Sequence, residues 1–319
     1  MEAFHHLMTG FVTAMSPMNL LFATIGCVLG TLIGVLPGLG PAAGTALLIP
    51  LTFKLDPTAA IIMLAAIYYG AMYGGTITSI LINVPGEAAS VVTCLDGYEM
   101  AKQGRAGAAL GVAAIGSFIG GTVATFGLVL VALPLTRFAL KFGPTEYFSL
   151  LLVGLCLVMG LAGKSLAKAL VMGVLGLIFS FVGVDPVEGA PRFTFGIAPL
   201  MDGIRFVPVV MGFFGIGEIL INAENSLTGV MAGGGKVSSF FPRRDEWRIS
   251  ITSIIRGTGL GFFLGLIPGT NSAVASFMSY SIERKVSNHP DKFGTGVIEG
   301  VAAPETANNA YANAALIPL

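Results

Sequence analysis

Two stretches of the sequence share one pattern of apolar and polar positions. In each, an apolar helix carries glycine at every fourth position, a Pro-Gly pair interrupts it, and a short apolar segment follows. At a constant offset, the matched pairs are Gly26 with Gly257, Gly30 with Gly261, Gly34 with Gly265, Pro37 with Pro268, Gly38 with Gly269 and Thr45 with Ser276. The pattern predicts two structural repeats, each containing a re-entrant or broken-helix hairpin.

The same hydrophobic pattern predicts a series of membrane-spanning helices, since a span needs about 20 largely apolar residues. The predicted spans cover residues 18–36, 58–82, 106–133, 146–162, 166–184, 203–221 and 249–267. Residues 39–53 are apolar but too short and too broken for a crossing, which favours a re-entrant return. Residues 88–105 hold most of the nearby charge, so they are predicted to lie at the membrane interface.

Composition agrees with a membrane protein. Charged residues make up 11% of the chain and hydrophobic residues 54%, with a mean hydropathy of +0.84. Ordinary soluble domains contain about 25% charged residues. The fold class is therefore predicted to be all-α and polytopic, embedded in a lipid bilayer. Because the net charge is zero, the chain offers no basic surface for nucleic acid.

The longest hydrophilic loop, residues 222–248, divides the chain just before the second copy of the pattern. We predict a first repeat at 1–133, connecting helices with the polar loop at 134–248, and the start of a second repeat at 249–319. The first repeat contains a further break, VPGE at 84–87. Since the second repeat has no such break before Leu319, we expect the chain to be truncated at its C-terminal end.

The Pro-Gly breaks are the strongest functional signal. Proline removes a backbone donor, and glycine adopts conformations that other residues avoid. Breaks of this kind inside apolar helices are typical of the binding sites of secondary transporters, where free amides and helix N-termini attract carboxylates. The alternative is that the breaks are packing kinks, and that the glycine faces only allow helices to approach closely.

Two acids lie near the breaks. Glu305 and Glu87 are candidates for binding a coupling proton or sodium ion, because acids in apolar segments are costly and often functional. Thr78 and Ser79, on the polar half of the span at 58–82, are added to these candidates. Glu87 has an alternative role as a cap at the start of a helix.

Amide and hydroxyl side chains near the breaks are candidates for substrate contact. Asn308 and Asn309 offer both donors and acceptors, which suits a carboxylate substrate. Hydrogen bonding between helices is an equally simple role for them. Thr45 follows the first break and matches Ser276 after the second, so it joins the substrate-binding candidates.

Enzymatic and cofactor signatures are missing. Two lysine-containing segments, 229–239 and 160–165, lack the glycine that a phosphate-binding loop requires. Hydrolase and zinc-protease motifs are absent, and the cysteines and histidines have no spacing suited to a metal. We therefore expect neither an enzyme nor a bound cofactor or metal, apart from a coupling Na⁺ or H⁺. An intramembrane enzyme is the weaker class of hypothesis.

Four segments resemble the large membrane subunit of the tripartite tricarboxylate transporters, the TctA family. They are GVLPGLGPAAGTALLIPLTF, YYGAMYGGTITSILINVPGEAASVVTCLDGYEMAKQGRAG, GLIPGTNSAVASF and APETANNAYANAALIPL. The resemblance implies a multi-pass protein of the bacterial inner membrane that imports citrate or a related carboxylate by cation symport. It also implies two partners, a small membrane subunit and a periplasmic solute-binding protein.

The resemblance also implies which residues form the site. The matching positions are Gly38, Leu39, Gly40 and Pro41 at the first tip, Asn83, Pro85, Gly86 and Glu87 at its companion, and Gly269, Thr270, Asn271 and Ser272 at the second tip. The companion of the second tip would lie beyond Leu319. The alternative function is a channel-like or non-transporting membrane scaffold, which would need no coupling to an ion gradient.

Overall fold

The structure is a computed structural model built almost entirely of helices. It describes residues 2–36, 40–139, 143, 145–146, 148–149, 151–152, 166–185, 188–205, 209, 220, 239–267 and 270–315. The described helices are α1 Glu2–Ala14, α2 Pro17–Gly34, α3 Gly40–Thr52, α4 Pro57–Ile82, α5 Val91–Thr93, a π-helical turn Cys94–Tyr98, α6 Glu99–Lys102, α7 Ala106–Ala139, α8 Leu166–Ser180, α9 Arg244–Gly265, α10 Ser272–Val286 and α11 Glu299–Ala314. Short 3-10 helices occupy Ala198–Asp202 and Pro290–Lys292, and two-residue strands, β1 Gly183–Val184 and β2 Pro191–Arg192, pair antiparallel.

Among the described residues, three helices are long and apolar enough to cross a membrane. They are Pro17–Gly34, Pro57–Ile82 and Ala106–Leu130, and Gly40–Thr52 and Leu170–Ser180 are shorter apolar helices. The predicted helical, apolar character of the chain is therefore confirmed. The predicted spans at 146–162 and 203–221 lie largely outside the described residues, and the division into repeats at 133 and 248 stays a prediction.

Local sequence explains where α4 begins and ends; with α2 and α3, this helix forms the first three-helix unit. Asp56 caps α4 by accepting a hydrogen bond from the backbone N–H of Thr58 at 3.0 Å. Pro57 occupies the first helical position, where its missing N–H is not needed. At the other end, Asn83 adopts a left-handed conformation, with φ of 57°, and ends α4.

Glycines on α2 bring it against the backbone of α4. A Cβ atom added at Gly26, Gly30 or Gly34 would lie 2.5 Å or less from a carbonyl oxygen of α4. The facing carbonyls belong to Met63, Ile67 and Ala71. The glycine spacing therefore produces backbone-to-backbone contact, as expected for small residues at helix interfaces in membranes.

The second unit, α9 to α11, repeats this contact. A Cβ atom added at Gly257, Gly261 or Gly265 of α9 would lie within 2.6 Å of a carbonyl oxygen of α11. These carbonyls belong to Ala303, Ala307 and Tyr311. In both units, the facing carbonyls recur at every fourth position. Whether α3 and α10 are re-entrant stays a prediction, although α3 has 13 residues and α10 has 15, both short for a span.

Most of residues 88–105, the segment predicted to lie at the membrane interface, is buried within the protein, and its level relative to the membrane stays a prediction. Residues 91–100 are buried or half-buried, and Val92, Thr93 and Asp96 are fully enclosed. The segment is inserted between α4, α10 and α11, so its polar groups are satisfied by protein rather than by the lipid headgroup region.

The long helix α7 completes the framework around α11. Gly116 and Gly120 of α7 lie against Thr306 of α11, since an added Cβ atom would come within 2.4 Å and 2.7 Å of it.

Elsewhere, α8 exposes many large apolar side chains, as expected for a helix that faces lipid. Helix α9 begins at Arg244, before the predicted end of the loop at 248, because Glu246 accepts the backbone N–H of Arg243 at 2.8 Å.

Candidate functional site

A buried carboxylate, Glu305, lies at the junction of α4, α5 and α11. It belongs to α11 and is only 2% exposed. Thr76 of α4 donates its hydroxyl to Oε2 of Glu305 at 2.8 Å, and Thr93 of α5 donates its hydroxyl to Oε1. The two donors precede Glu305 in the chain by 229 and 212 residues. Glu305 therefore connects the second three-helix unit to the first.

A second buried carboxylate, Glu87, lies in the loop after α4 and is 8% exposed. Asn308 of α11 donates its side-chain amide to Oε1 of Glu87 at 2.9 Å. The loop also closely approaches other backbone, because a Cβ atom on Gly86 would lie 2.5 Å from both the carbonyl oxygen of Gly34 and the Cα of Gly75. Glu87 is thus held between the end of α2 and the middle of α11.

The two carboxylates lie close together without a basic partner among the described residues. Asn308, which donates to Glu87, lies one turn beyond Glu305 on the same helix, so both carboxylates lie beside the same part of α11. The ion pairs in the described part of the chain use other acids, namely Glu99, Glu246, Asp185, Asp202 and Glu283. A buried carboxylate without a counter-charge is stable only when it is protonated or neutralised by a bound cation. The arrangement is therefore suited to holding protons or a cation.

The two predicted asparagines, Asn308 and Asn309, contact different parts of the protein. Asn308 contacts the carboxylate of Glu87, whereas Asn309 turns to α7 and donates to the hydroxyl oxygen of Ser117 at 2.7 Å. Asn309 also donates to the backbone carbonyl of Glu305 at 3.1 Å. Adjacent positions on a helix point in different directions, so one asparagine faces the acids and the other faces a cavity.

That cavity has a volume of about 430 Å³ and lies between α4, α7 and α11. Asn309 and Ser117 line one part of it, and Asn313 lines another. Tyr69 and Thr125 donate their hydroxyls to Oδ1 of Asn313 at 2.7 Å and 3.0 Å. The cavity is thus lined by hydroxyl and amide groups set in an otherwise apolar wall, which is the usual character of a small-molecule site.

The centre of the first break lies outside the described residues, and so do Gly38 and Leu39 of the first tip. Gly40 begins α3 with a positive φ of 63°, and Pro41 is buried in the first turn. Thr45 donates its hydroxyl to the carbonyl of Pro41 at 2.8 Å, within its own helix. Its predicted role as a substrate contact therefore stays a prediction.

The companion loop is better defined. Pro85 and Gly86 are buried beside Glu87, and Asn83 is half-buried at the end of α4. Because Gly86 touches the backbone of Gly34, the loop lies against the end of the helix that leads into the first break. The structure thus brings together the predicted companion loop, the start of the first break and the acids.

The second tip packs against α11. Gly269 lies outside the described residues, but Thr270 donates its hydroxyl to the carbonyl of Leu264 at 2.8 Å, and Tyr311 of α11 donates to the carbonyl of Thr270. Asn271 is exposed and caps α10, accepting from a backbone N–H, and Ser272 is the first residue of that helix. Tyr311 lies one turn beyond Asn308. The second tip therefore approaches, along α11, the group formed by Glu87, Glu305 and Asn308, which we term the acid cluster.

Thr78 and Ser79 are buried but do not contact the carboxylates directly. Their hydroxyls donate to the carbonyl of Gly75 in their own helix, at 3.0 Å and 2.8 Å. Thr76 is the hydroxyl of this helix that reaches Glu305. The polar half of α4 is therefore turned towards protein, and its contact with the carboxylates is made by Thr76.

A scan against protein-family models matches residues 20–319 to the tripartite tricarboxylate transporter TctA family. The chain belongs to the TctA family. It is 49% identical over 319 residues to the "Uncharacterized 52.8 kDa protein in TAR-I ttuC' 3'region" of Agrobacterium vitis, a match that covers all of this chain and 63% of that relative. It is also 54% identical over 59 residues to the "Uncharacterized protein in TAR-II ttuC' 3'region" of the same organism, covering 18% of this chain and 24% of that one. No solved structure matches the chain.

Family membership confirms the resemblance predicted from the four segments. The TctA family is a family of transporters, and the tripartite description implies further subunits. The chain spans 63% of the length of the longer-matching relative. Within the described part of this TctA-family chain, no group of three or more His, Cys, Asp or Glu side chains lies together as a metal site would require.

One buried acid of this TctA-family chain, Asp96, was not among the residues predicted from the sequence. Asp96 is fully buried and accepts hydrogen bonds from the hydroxyl of Tyr280 at 2.7 Å and from the backbone N–H groups of Gly294, Gly296 and Val297 at 2.8 to 2.9 Å. An acid directly after the largely apolar run at 91–95 was the available signal. Asp96 fixes the loop that precedes α11, and so positions the helix that bears Glu305.

Proposed function

We propose that this chain is part of the large transmembrane subunit of a binding-protein-dependent secondary transporter in a bacterial inner membrane. It would import a tricarboxylate or a related carboxylate by symport with Na⁺ or H⁺. Its expected partners are a small membrane subunit and a periplasmic solute-binding protein that delivers the substrate. The family to which the chain belongs supports transport, and the buried polar groups support ion coupling.

The observation that carries the proposal is the buried pair Glu87 and Glu305. Ionisable side chains within apolar membrane helices are expensive and mark ion or proton pathways. Here the two acids are 8% and 2% exposed, and each is hydrogen-bonded across the junction of the two three-helix units. A protein that only supported other subunits would have no use for two such uncompensated acids.

The glycine contacts support a mechanism in which each unit moves as one body. Within a unit, α2 and α4, or α9 and α11, meet backbone to backbone and cannot slide easily. Between the units, the contacts around the acids are side-chain hydrogen bonds, such as those from Thr76 to Glu305 and from Asn308 to Glu87. Alternating access would then open this hydrogen-bonded boundary while the units stay intact.

The cavity supports binding of a small polar solute. Its lining includes Tyr69, Ser117, Thr125 and Asn309 but no Lys or Arg among the described residues. A carboxylate bound there would depend on these hydroxyl and amide donors. Such a site would bind modestly by itself, which fits delivery by a dedicated soluble protein.

Uptake into proteoliposomes tests the proposal. The full-length large subunit is reconstituted with its small membrane subunit, the soluble binding protein is added, and labelled carboxylates are supplied under an inward Na⁺ or H⁺ gradient. We expect uptake that requires both the soluble protein and one of the gradients. Flux that is independent of any gradient would instead favour the channel-like alternative. Full-rate uptake without the soluble protein would contradict the proposed partner dependence.

A further inference from the structure

The acid cluster contains a polar atom that lacks a partner. Asn308 is 1% exposed, and its amide nitrogen is used by Glu87. Its carbonyl oxygen, Oδ1, is buried and accepts no hydrogen bond from any described residue. Buried side-chain acceptors almost always have a partner. The orphan oxygen therefore points to a group that the described residues do not supply.

Rotating the Asn308 amide does not remove the deficit. In the rotated state, Oδ1 would face Oε1 of Glu87, and two acceptors would be in contact. The amide nitrogen would then occupy the position without a partner. A proton on Glu87 could relieve the contact between the oxygens, but the nitrogen would still be unpaired. Only a positively charged or donating group beside Oδ1 satisfies the amide in its present orientation.

The described residues around the cluster also supply no positive charge. Among the described residues, the titratable groups that interact electrostatically with Glu87 are Glu305 and Tyr68. Those that interact with Glu305 are Tyr73 and Cys94 as well as Glu87. None of these groups is basic. The hydroxyls of Thr76 and Thr93 contribute dipoles but no charge. The cluster thus combines two carboxylates with neutral oxygen atoms, the ligand type preferred by hard cations.

We propose that one sodium ion binds between Glu87 and Glu305, with Oδ1 of Asn308 as a further ligand. The inference rests on the proposed function for its biological role, and it specifies the coupling ion and its ligands. Glu87 belongs to the loop beside α2, whereas the other two ligands belong to α11. A bound ion would replace the repulsion between the acids by attraction, and so would stabilise the contact between the two units.

Sodium binding to the purified chain tests this without a transport assay. Thermal unfolding and titration calorimetry are carried out in detergent at constant ionic strength, with choline replacing Na⁺. We expect Na⁺, but neither choline nor K⁺ at equal concentration, to raise the unfolding temperature of the wild-type chain. Glu305→Gln, Glu87→Gln and Asn308→Ala should each weaken Na⁺ binding at least tenfold.

Glu299→Gln is the matched control, because Glu299 is a buried acid on the same helix, 7% exposed and outside the cluster. It should leave the response to Na⁺ unchanged. An absent or unspecific Na⁺ effect on the wild-type chain would overturn the proposal even if every variant failed to fold. Stabilisation by acid alone, with no response to Na⁺, would assign protons to the site and also overturn it. Uptake in the transport assay without Na⁺ binding here would refute this inference alone, and binding without uptake would refute only the proposed function.

Discussion

Asn308 donates its side-chain amide to Glu87 across a separation of 221 residues, and both side chains are more than nine-tenths buried. The contact joins the loop after α4 to the middle of α11. Around it, hydroxyl, amide and carboxylate groups of the two glycine-packed units meet, beside an apolar cluster that joins Ile80 of α4 to Val301 of α11. Packing within the units and polar contact between them lead to separate, testable consequences.

Close helix packing predicts a large effect of one methyl group on α9. In Gly261→Ala, the new Cβ atom would lie 2.2 Å from the carbonyl oxygen of Ala307, so α9 and α11 must separate. Overpacking of this kind costs about 1–3 kcal/mol. We expect a lower unfolding temperature in detergent, measured by a thermal shift assay.

Gly259→Ala is the control on the same helix, since nothing lies within 4 Å of a Cβ atom at Gly259. Alanine is favoured over glycine in a helix by up to about 1 kcal/mol, so this variant should be neutral or slightly stabilised. Equal destabilisation by the two variants would contradict the described contact between α9 and α11.

The hydrogen bonds of Asp96 predict that this residue fixes the loop before α11. Asp96→Ala leaves the N–H groups of Gly294, Gly296 and Val297 without their acceptor. Each buried donor left unpaired costs about 1–3 kcal/mol. We expect strongly increased proteolysis between residues 287 and 298 and a large drop in stability. Tyr280→Phe removes only one of the donors and should have a much smaller effect; an effect of equal size would argue against the backbone contacts.

The ion pair of Arg256 and Glu283 predicts that removing the arginine alone destabilises the protein more than removing both charges. Glu283 is 1% exposed and is held by Arg256 and by the hydroxyl of Ser253 at 2.8 Å. Arg256→Met would leave this carboxylate buried without its counter-charge, at a cost of about 3–5 kcal/mol. Adding Glu283→Gln should recover much of the loss. A double-mutant cycle on unfolding free energies measures the coupling, and purely additive effects would contradict it.

The cavity beside α7 predicts that Asn309 and Asn313 affect substrate more than ion binding. Asn313→Ala removes the acceptor of both Tyr69 and Thr125 and leaves the cavity with fewer ordered polar groups. In the uptake assay we expect KM for the carboxylate to rise about tenfold, as for loss of a hydrogen-bonding site group. The response of the purified chain to Na⁺ should stay close to that of the wild type. If Asn313→Ala abolished the Na⁺ response and left KM unchanged, the cavity would not be the substrate site.

Much of the helical framework could be predicted because it depends on local pattern. The span predicted at 58–82 matches α4, Pro57–Ile82, since Asp56 and Pro57 start a helix and Asn83 ends it. The glycines at every fourth position predicted close packing, although the partner carbonyls could not be read from the sequence. Those carbonyls lie on a helix that follows in the chain, and a glycine pattern does not identify its partner.

The site could be predicted only in part. Glu87, Glu305 and Asn308 stood out as polar residues near breaks. In the structure, Asn308 donates to Glu87 and lies one turn from Glu305 on α11. Thr93 did not stand out, because residues 88–105 looked like an interfacial segment. Its burial depends on tertiary contacts with α10 and α11, which no local pattern encodes. For the same reason, the different contacts of Asn308 and Asn309 could not be predicted without the position of α7.

The close backbone contacts of Gly86 limit how the loop after α4 can move. With no side chain, its backbone touches Gly34 at the end of α2 and Gly75 within α4, so the loop cannot shift independently of either. The next residue along the chain is Glu87. A displacement of the chain just after Gly34 would therefore also displace Gly86, and with it the carboxylate of Glu87.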